Sequence, residues 1–237
     1  MDDGPSDGTD GCPASDADDD AGPDIDPHTQ RAAVRDGYDG MAEDYRRWRE
    51  SSASTDGAVV ESFLADLDAG SRLVDAGCGQ GTPVLDRLPA GVDAVGVDLS
   101  AAQLRLAREV TGADLVRGDM TRLPVAADAV DAVTAMGSVI HVPIEQHPSV
   151  YREFARVLRP GGRLLLTAAP DADGWSGANP DWLDTGVLMA WSFPGIDRTR
   201  EQLREAGFLI VDEHRTSWSD GDHEEAWTQV VARLSDS

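Results

Sequence analysis

Lysine is missing from this chain of 237 residues. All 20 basic residues are arginine, against 33 Asp and 11 Glu, and the formal net charge is −24. A charge of that size and sign repels polyanions, which argues against nucleic acid or an anionic membrane as the partner.

The kind of charge is as informative as its amount. No lysine and three Asp for each Glu is a composition similar to that of proteins from organisms that keep molar salt in the cytoplasm. Molar salt shortens the Debye length to about 3 Å, which quenches the self-repulsion of an acidic fold. The composition therefore predicts a halophilic protein, and an ordinary acidic protein is the alternative.

Cysteine and long apolar runs are also scarce. The two cysteines, Cys12 and Cys78, are too few for a disulfide framework or a zinc site, so no metal is expected. No apolar run reaches membrane-spanning length, and the N-terminal region has neither the basic nor the apolar part of a signal peptide. We therefore expect a cytoplasmic protein.

Residues 1–28 differ in composition from the rest of the chain. They contain ten Asp and no Arg, with many Gly, Pro and Ser. Such a segment cannot bury enough apolar surface to offset its ordering entropy, so we predict a disordered acidic tail. Residues 29–237 then suit one α/β domain with a substantial core.

Residues 73–82 read LVDAGCGQGT, and they are the most informative stretch. A buried strand ends in Asp75, and glycines at 77, 79 and 81 follow. Glycine there permits a sharp turn and a close approach of ligand to the main chain. A pyrophosphate would be repelled by Asp75, whereas a cationic ligand would not. The nicotinamide dinucleotide fingerprint also places its third glycine three residues after the second, not two.

Two further acids follow predicted strands. Asp98 ends AVGVD, and Asp119 lies in GDMTRLP. A carboxylate at the carboxyl end of a strand can accept two hydrogen bonds from a ribose diol. Each acid has a plainer alternative as a helix cap or turn residue.

The three segments together resemble motif I and the later acid-tipped strands of class I S-adenosylmethionine (SAM) methyltransferases, from about residue 34 onward. The resemblance implies SAM as cofactor, with Asp119 on the adenine amino group. The cofactor contacts that it implies are Asp75, Gly77, Cys78, Gly79, Asp98, Leu99, Asp119, Met120, Met136, Tyr38 and Tyr45.

Alternating strand and helix patterns predict a doubly wound, Rossmann-like α/β fold with helices on both faces of a seven-stranded, mostly parallel sheet. Residues 29–68 should form two helices that cap the cofactor, although the tyrosines of the first could simply pack. The final strand is the candidate for the antiparallel edge strand that the family adds. The predicted helices are 29–50, 56–67, 80–88, 101–110, 148–158 and 199–205, and the strands are 72–75, 94–97, 114–117, 129–135, 163–168, 209–214 and 226–234.

Residues 170–197 interrupt this alternation. Prolines and glycines predict a long loop, and its tryptophans argue against disorder. By resemblance to enzymes acting on small molecules, the segment is a substrate-side insertion with Trp175, Met189 and Trp191 in the acceptor pocket. A surface loop anchored by buried tryptophans is the alternative.

His141 is the candidate general base. It follows the fourth predicted strand, near the expected position of the transferred methyl group, and a histidine titrates near neutrality. A loop histidine held by hydrogen bonds is the alternative.

The Asn-Pro-Pro-aromatic type of motif, which enzymes methylating base amines carry after this strand, is missing. The sequence therefore predicts a SAM-dependent methyltransferase for a small-molecule acceptor. The alternative is a SAM-binding protein without transferase activity, either a sensor or an inactive partner subunit.

Overall fold

The computed structural model describes residues 26–219 and 224–236. The α-helices in these ranges are α1 Pro27–Gly40, α2 Ala42–Ser51, α3 Asp56–Ala65, α4 Ala101–Val110, α5 His147–Val157 and α6 Ile196–Glu205. The strands are β1 Ala53–Ser54, β2 Arg72–Ala76, β3 Asp93–Asp98, β4 Asp114–Arg117, β5 Val130–Ala135, β6 Leu158–Ala168, β7 Trp175–Asn179, β8 Met189–Phe193, β9 Phe208–Ser219 and β10 Glu224–Leu234.

The main sheet has the order β1-β9-β10-β6-β5-β2-β3-β4. Neighbours from β6 to β4 are parallel, whereas β10 is antiparallel to both β9 and β6. The predicted doubly wound, mostly parallel sheet is confirmed. It has eight strands rather than seven, because the two-residue β1 pairs with the end of β9.

Helices cover both faces of this sheet. Alternate side chains of a strand point to opposite faces: in β2, Val74 packs with the α5 and α6 side and Leu73 with the α3 and α4 side. The same division separates Val133 from Ala132 in β5. Burial on both faces explains why the parallel strands are continuous apolar runs.

The final strand was wrongly expected at an edge. β10 lies between β6 and β9, and its residues Val230, Val231 and Ala232 are all buried. A strand that is apolar on both faces requires cover on both sides, which an inner position provides.

Two helix predictions also need correction. Residues 80–88 form turns with a short 3₁₀ helix at Leu85–Arg87. Gly81 has a φ of +91°, which is not helical, and Pro83 disfavours the α-helical conformation of the residue before it. The single helix expected over 29–50 is broken at Met41, whose side chain is fully buried.

The acidic tail predicted for residues 1–28 falls almost entirely outside the described residues. α1 begins at Pro27, earlier than the expected domain boundary at residue 29. Proline at the first helical position has a suitable φ and loses no hydrogen bond there.

The segment 170–197 is a structured hairpin and not a loop. β7 and β8 pair antiparallel, with the short 3₁₀ helix Trp182–Asp184 between them. All five residues of β8 are buried, so the strand lacks the alternating pattern by which a half-exposed strand is recognised. Among the helices described, none is both long and apolar enough to cross a bilayer.

Candidate active site

A cavity of about 200 Å³ opens at the carboxyl ends of the parallel strands, where ligands bind in sheets of this kind. One side, here called the strand-end half, consists of residues 77–80, 97–100, 118–120 and 136–138. The other side, here called the aromatic half, consists of Tyr38, Tyr45, Trp48, Trp182, Trp191, Trp218 and Trp227.

Two glycines of the loop after β2 differ in the space around them: Gly77 is tightly packed, whereas Gly79 has free space beside it. Gly77 has a φ of +78° and its N–H donates to the Val97 carbonyl at 2.7 Å. A Cβ at this position would lie 2.3 Å from the Cβ of Ser138. At Gly79, with a φ of +52°, the nearest atom to such a Cβ is 3.9 Å away. Gly77 therefore permits the turn, and Gly79 leaves the main chain open to a ligand.

Asp98 lies at the end of β3 and orders the loop beside it. One carboxylate oxygen accepts from the N–H of Gly79 and the other from the N–H of Ser100, both at 2.8 Å. Burial raises the pKa of Asp98, and these two N–H donors oppose that rise. Each oxygen retains a lone pair for the hydroxyl of a ligand.

Asp75 differs from its expected role as a cofactor contact. It is 3% exposed, accepts from the Thr134 hydroxyl at 2.8 Å, and lies outside the cavity lining. Burial raises the pKa of Asp75 to about 7. The Asp75 carboxylate therefore connects β2 to β5 through the Thr134 hydroxyl.

Asp119 lies in the cavity, as expected, but its carboxylate is already engaged. One oxygen accepts from the N–H and the hydroxyl of Thr121, and the other lies 3.1 Å from Nε of Arg31 in α1. Arg31 also donates to Gln146. Sequence reasoning missed this arginine, because nothing in its local pattern connects α1 to the end of β4.

The remaining predicted cofactor residues line the cavity: Cys78, Leu99, Met120, Met136, Tyr38 and Tyr45. Burial raises the pKa of the Cys78 thiol, which fits a packing role.

Gln103 supplies an independent sign of a ligand. It lines the strand-end half and is 1% exposed, yet neither polar atom of its amide has a partner among the described residues. Buried polar groups rarely remain unsatisfied in native proteins. The unpartnered amide, the open main chain at Gly79 and the lone pairs of Asp98 together fit the ribose and amino acid groups of SAM.

His141 lies between the two halves. Its Nδ1 is 2.9 Å from the Ala190 carbonyl, and its Nε2 is 2.9 Å from the hydroxyl of Tyr38. Because a carbonyl only accepts, Nδ1 carries the proton and Nε2 accepts from Tyr38. Burial lowers the pKa of His141 to about 4 and raises that of Tyr38 well above its usual value. The imidazole is therefore neutral at pH 7.

Six of the seven rings of the aromatic half form a continuous set of ring contacts, whereas the seventh, Trp227, contacts Phe193. Trp48 lies 4.6 Å from Trp218 and 5.6 Å from Trp182 between ring centroids, and Trp182 lies 5.2 Å from Trp191. Trp48 and Trp218 are tilted by 37°, whereas Trp182 meets Trp48 and Trp191 edge to face, so the indoles present apolar faces in more than one orientation.

Of the predicted acceptor-pocket residues, only Trp191 lines the cavity. Trp175 packs on Phe193 instead, and Met189 is fully buried in the core beneath. Trp48 was missed, although its position three residues after Tyr45 places both on one helix face. Trp218 and Trp227 were missed because β9 and β10 lie far from the other site residues in sequence.

A doubly wound sheet with a glycine loop and acids at its strand ends defines a class of nucleoside-binding α/β proteins. Residues 74–166 match the family model described as a methyltransferase domain. A demethylmenaquinone methyltransferase of Paenarthrobacter aurescens is 29% identical, over 79% of this chain and 71% of its own length. An Encephalitozoon cuniculi protein provisionally named a methyltransferase is 30% identical, over 60% and 72%.

Among solved structures, the chain resembles the 1,6-didemethyltoxoflavin-N1-methyltransferase of Burkholderia thailandensis. The TM-score is 0.69 at 22% identity, covering 90% of this chain and 92% of that one, and that crystal contains 1,6-didemethyltoxoflavin and S-adenosylhomocysteine. The chain belongs to the class I methyltransferase family, and SAM is its methyl donor.

Proposed function

We propose that this enzyme transfers the methyl group of SAM to a small-molecule acceptor held in the aromatic half. The observation that carries the proposal is a single cavity lined both by the strand ends and by the aromatic side chains. The P. aurescens and B. thailandensis relatives are named for small acceptors, which supports the same class.

SAM, when bound, supplies an electrophilic methyl group on a sulfonium. Asp98 would accept hydrogen bonds from the ribose diol, and the open main chain at Gly79 and the amide of Gln103 would bind the amino acid part. The Asp119 carboxylate is held by Thr121 and Arg31, so the main chain at Met120 would meet the adenine ring. These contacts orient the donor, and orientation contributes much of the rate in such a displacement.

His141 acts as general base through Tyr38 in this proposal. The acceptor loses its proton to the Tyr38 hydroxyl while that hydroxyl passes its own proton to Nε2 of His141. The Ala190 carbonyl supports the route, because it holds the other ring nitrogen in the protonated form. The resulting imidazolium keeps its bond to Ala190 and later releases the proton to solvent.

The low pKa of His141 favours an oxygen acceptor or a weakly basic nitrogen. An imidazole whose pKa is about 4 is a weak base, and it cannot readily take a proton from a methylated ammonium. A methylated hydroxyl group in its protonated form is a far stronger acid, so the transfer to His141 is downhill. Hydroxyl acceptors are therefore the first to test.

The test uses SAM labelled in its methyl group and an extract of the source cells. We expect label in the small-molecule fraction, dependent on the enzyme and inhibited by S-adenosylhomocysteine. Label found in the protein or nucleic acid fraction instead would contradict the proposal. Binding of S-adenosylhomocysteine with no transfer to any fraction would favour the alternative of a SAM-binding protein without transferase activity.

A further inference from the structure

Two tryptophans of the aromatic half have hydrogen-bond donors that the described residues leave unused. The indole N–H groups of Trp182 and Trp218 are buried and have no partner there. Both residues line the cavity, and they are 3% and 5% exposed. A buried donor without an acceptor costs about 1–3 kcal/mol, so two of them at one cavity point to a ligand that accepts from them.

The shape of the surrounding wall indicates what such a ligand looks like. Trp182 and Trp218 flank the ring of Trp48, at centroid distances of 5.6 and 4.6 Å. Tyr45 lies 5.7 Å from Trp182 on the same side. Flat apolar rings at these spacings stack best on another flat ring. The aromatic half thus combines planar surfaces with two N–H donors.

The charge of the ligand is the second property that the cavity lining indicates. The carboxylate of Glu225 also lines the cavity, and aromatic faces beside a carboxylate would suit an ammonium group. An ammonium group, however, cannot accept hydrogen bonds from the indoles of Trp182 and Trp218, and Arg49 in the same cavity repels a cation. The two donors favour a ligand that has acceptor atoms, and the carboxylate of Glu225 disfavours an anion, so the lining fits an uncharged ligand.

We infer that the methyl acceptor is an uncharged planar ring compound, whose carbonyl oxygens or ring nitrogens accept hydrogen bonds from Trp182 and Trp218. This inference rests on the proposed function, since it assumes that the acceptor occupies the aromatic half. Trp182 and Trp218 are then residues that determine specificity, because an apolar compound of the same shape leaves both donors unsatisfied.

The test compares three bicyclic probes of similar size on the protein saturated with S-adenosylhomocysteine. The probes are 2-quinolone, naphthalene and the N-methylquinolinium cation. We expect 2-quinolone to bind most tightly and to move the indole N–H signals of Trp182 and Trp218 downfield in ¹H–¹⁵N spectra. Equal binding of naphthalene would overturn the role of the donors. Tighter binding of N-methylquinolinium, or no binding of any probe, would overturn the inference as a whole.

Single substitutions sharpen this test. Trp182→Phe and Trp218→Phe should each weaken 2-quinolone roughly two- to tenfold while leaving naphthalene unchanged. Trp175→Phe is the matched control, because Trp175 lies in the same hairpin but outside the cavity lining. Calorimetry with S-adenosylhomocysteine separates a failure of this inference from a failure of the proposed function. A protein that binds S-adenosylhomocysteine but not 2-quinolone contradicts only this inference. A protein that does not bind S-adenosylhomocysteine contradicts the proposed function.

Discussion

The strand-end half and the aromatic half of the cavity present different chemical groups. The first presents main-chain groups and carboxylates at the ends of β2, β3, β4 and β5, all within residues 77–138. The second presents side-chain rings from α1, α2, the β7–β8 hairpin, β9 and β10. Parallel register sets the positions of the first group, while the second depends on how distant segments pack.

This difference separates the features that suit a methyl donor shared by the family from those that suit one particular acceptor. A site made of main-chain groups keeps its shape when most side chains change, which suits a donor common to a family. A site made of side-chain rings changes with each substitution, which suits the recognition of one acceptor. Changes in the two halves should therefore have separable effects on donor binding and on transfer.

The largest expected effect lies where the halves meet. His141→Ala should lower the rate of methyl transfer about 10²–10⁴-fold, because the base that takes the proton from the Tyr38 hydroxyl is lost. Affinity for S-adenosylhomocysteine should change little. Single-turnover rates with an identified acceptor measure this, and Tyr38→Phe, which keeps the ring but removes the hydroxyl, should be similarly slow. Rates equal to the wild type would make His141 structural.

A second substitution, Asp98→Ala, should affect the strand-end half alone. Asp98→Ala removes the acceptor for the N–H groups of Gly79 and Ser100 as well as the expected ribose contact. Hydrogen bonds to a charged group contribute roughly 1.5–3 kcal/mol each, so affinity for S-adenosylhomocysteine should fall about 100-fold or more by calorimetry. Asp75→Asn is the control, since Asp75 lies outside the lining. A comparable loss in that variant would restore Asp75 as a direct contact.

The glycine loop offers a test of shape. Gly77→Ala places a Cβ 2.3 Å from Ser138 at a φ of +78°. The left-handed conformation alone costs about 1–3 kcal/mol, so both the thermal midpoint and the cofactor affinity should fall. Gly70→Ala has a φ of +90° with nothing within 4 Å, and it measures the conformational cost without the clash. Indistinguishable variants would mean that the contact with Ser138 is easily relieved.

Two buried groups outside the cavity lining should respond to pH with opposite sign. Burial raises the pKa of Asp75 to about 7, so its cost to the folded state grows as pH rises from about 4 to 7. His147, buried at the start of α5 with its Nε2 on the Val142 carbonyl, has its pKa lowered to about 4, chiefly by burial. Its contribution is present above pH 6.5 and is lost as pH falls toward 4.

Urea unfolding of Asp75→Asn and His147→Gln between pH 4 and 7 measures this contrast. Relative to wild type, the free energy of unfolding of Asp75→Asn should increase with rising pH. That of His147→Gln should increase with falling pH. Each change should be at most about 3–4 kcal/mol. Profiles parallel to the wild type would show that neither group titrates as described.

The smallest expected effect concerns the molecule as a whole. With a net charge of −24 and no lysine, the thermal midpoint should rise as KCl goes from low to molar concentration, because screening reduces repulsion between carboxylates. S-adenosylhomocysteine binding should depend on salt less, since the strand-end contacts proposed for it would be buried hydrogen bonds. A midpoint that stays flat over this range would contradict the halophilic interpretation.

Local sequence was sufficient for most of the parallel part of the fold, apart from residues 80–88 between β2 and β3. The helix 101–110 and the strand 114–117 have the predicted bounds, and the side chain of Ser100 caps that helix. Apolar runs and caps act through neighbours in sequence, so they can be recognised without knowing the fold. Gly81 and Pro83 account for the missing helix over 80–88. The buried strand β8 and the inner position of β10 were missed because contacts from elsewhere in the chain decided them.

The site divides in the same way. The glycine loop and Asp98 could be recognised from sequence, because the turn after a strand and the acid at the end of the next are local features that parallel pairing brings together. Only the tertiary structure decided that Asp75 lies outside the cavity lining, that Arg31 pairs with Asp119, and which tryptophans form the aromatic half. These contacts join segments that are far apart in the chain, and no local pattern encodes which distant side chains will meet.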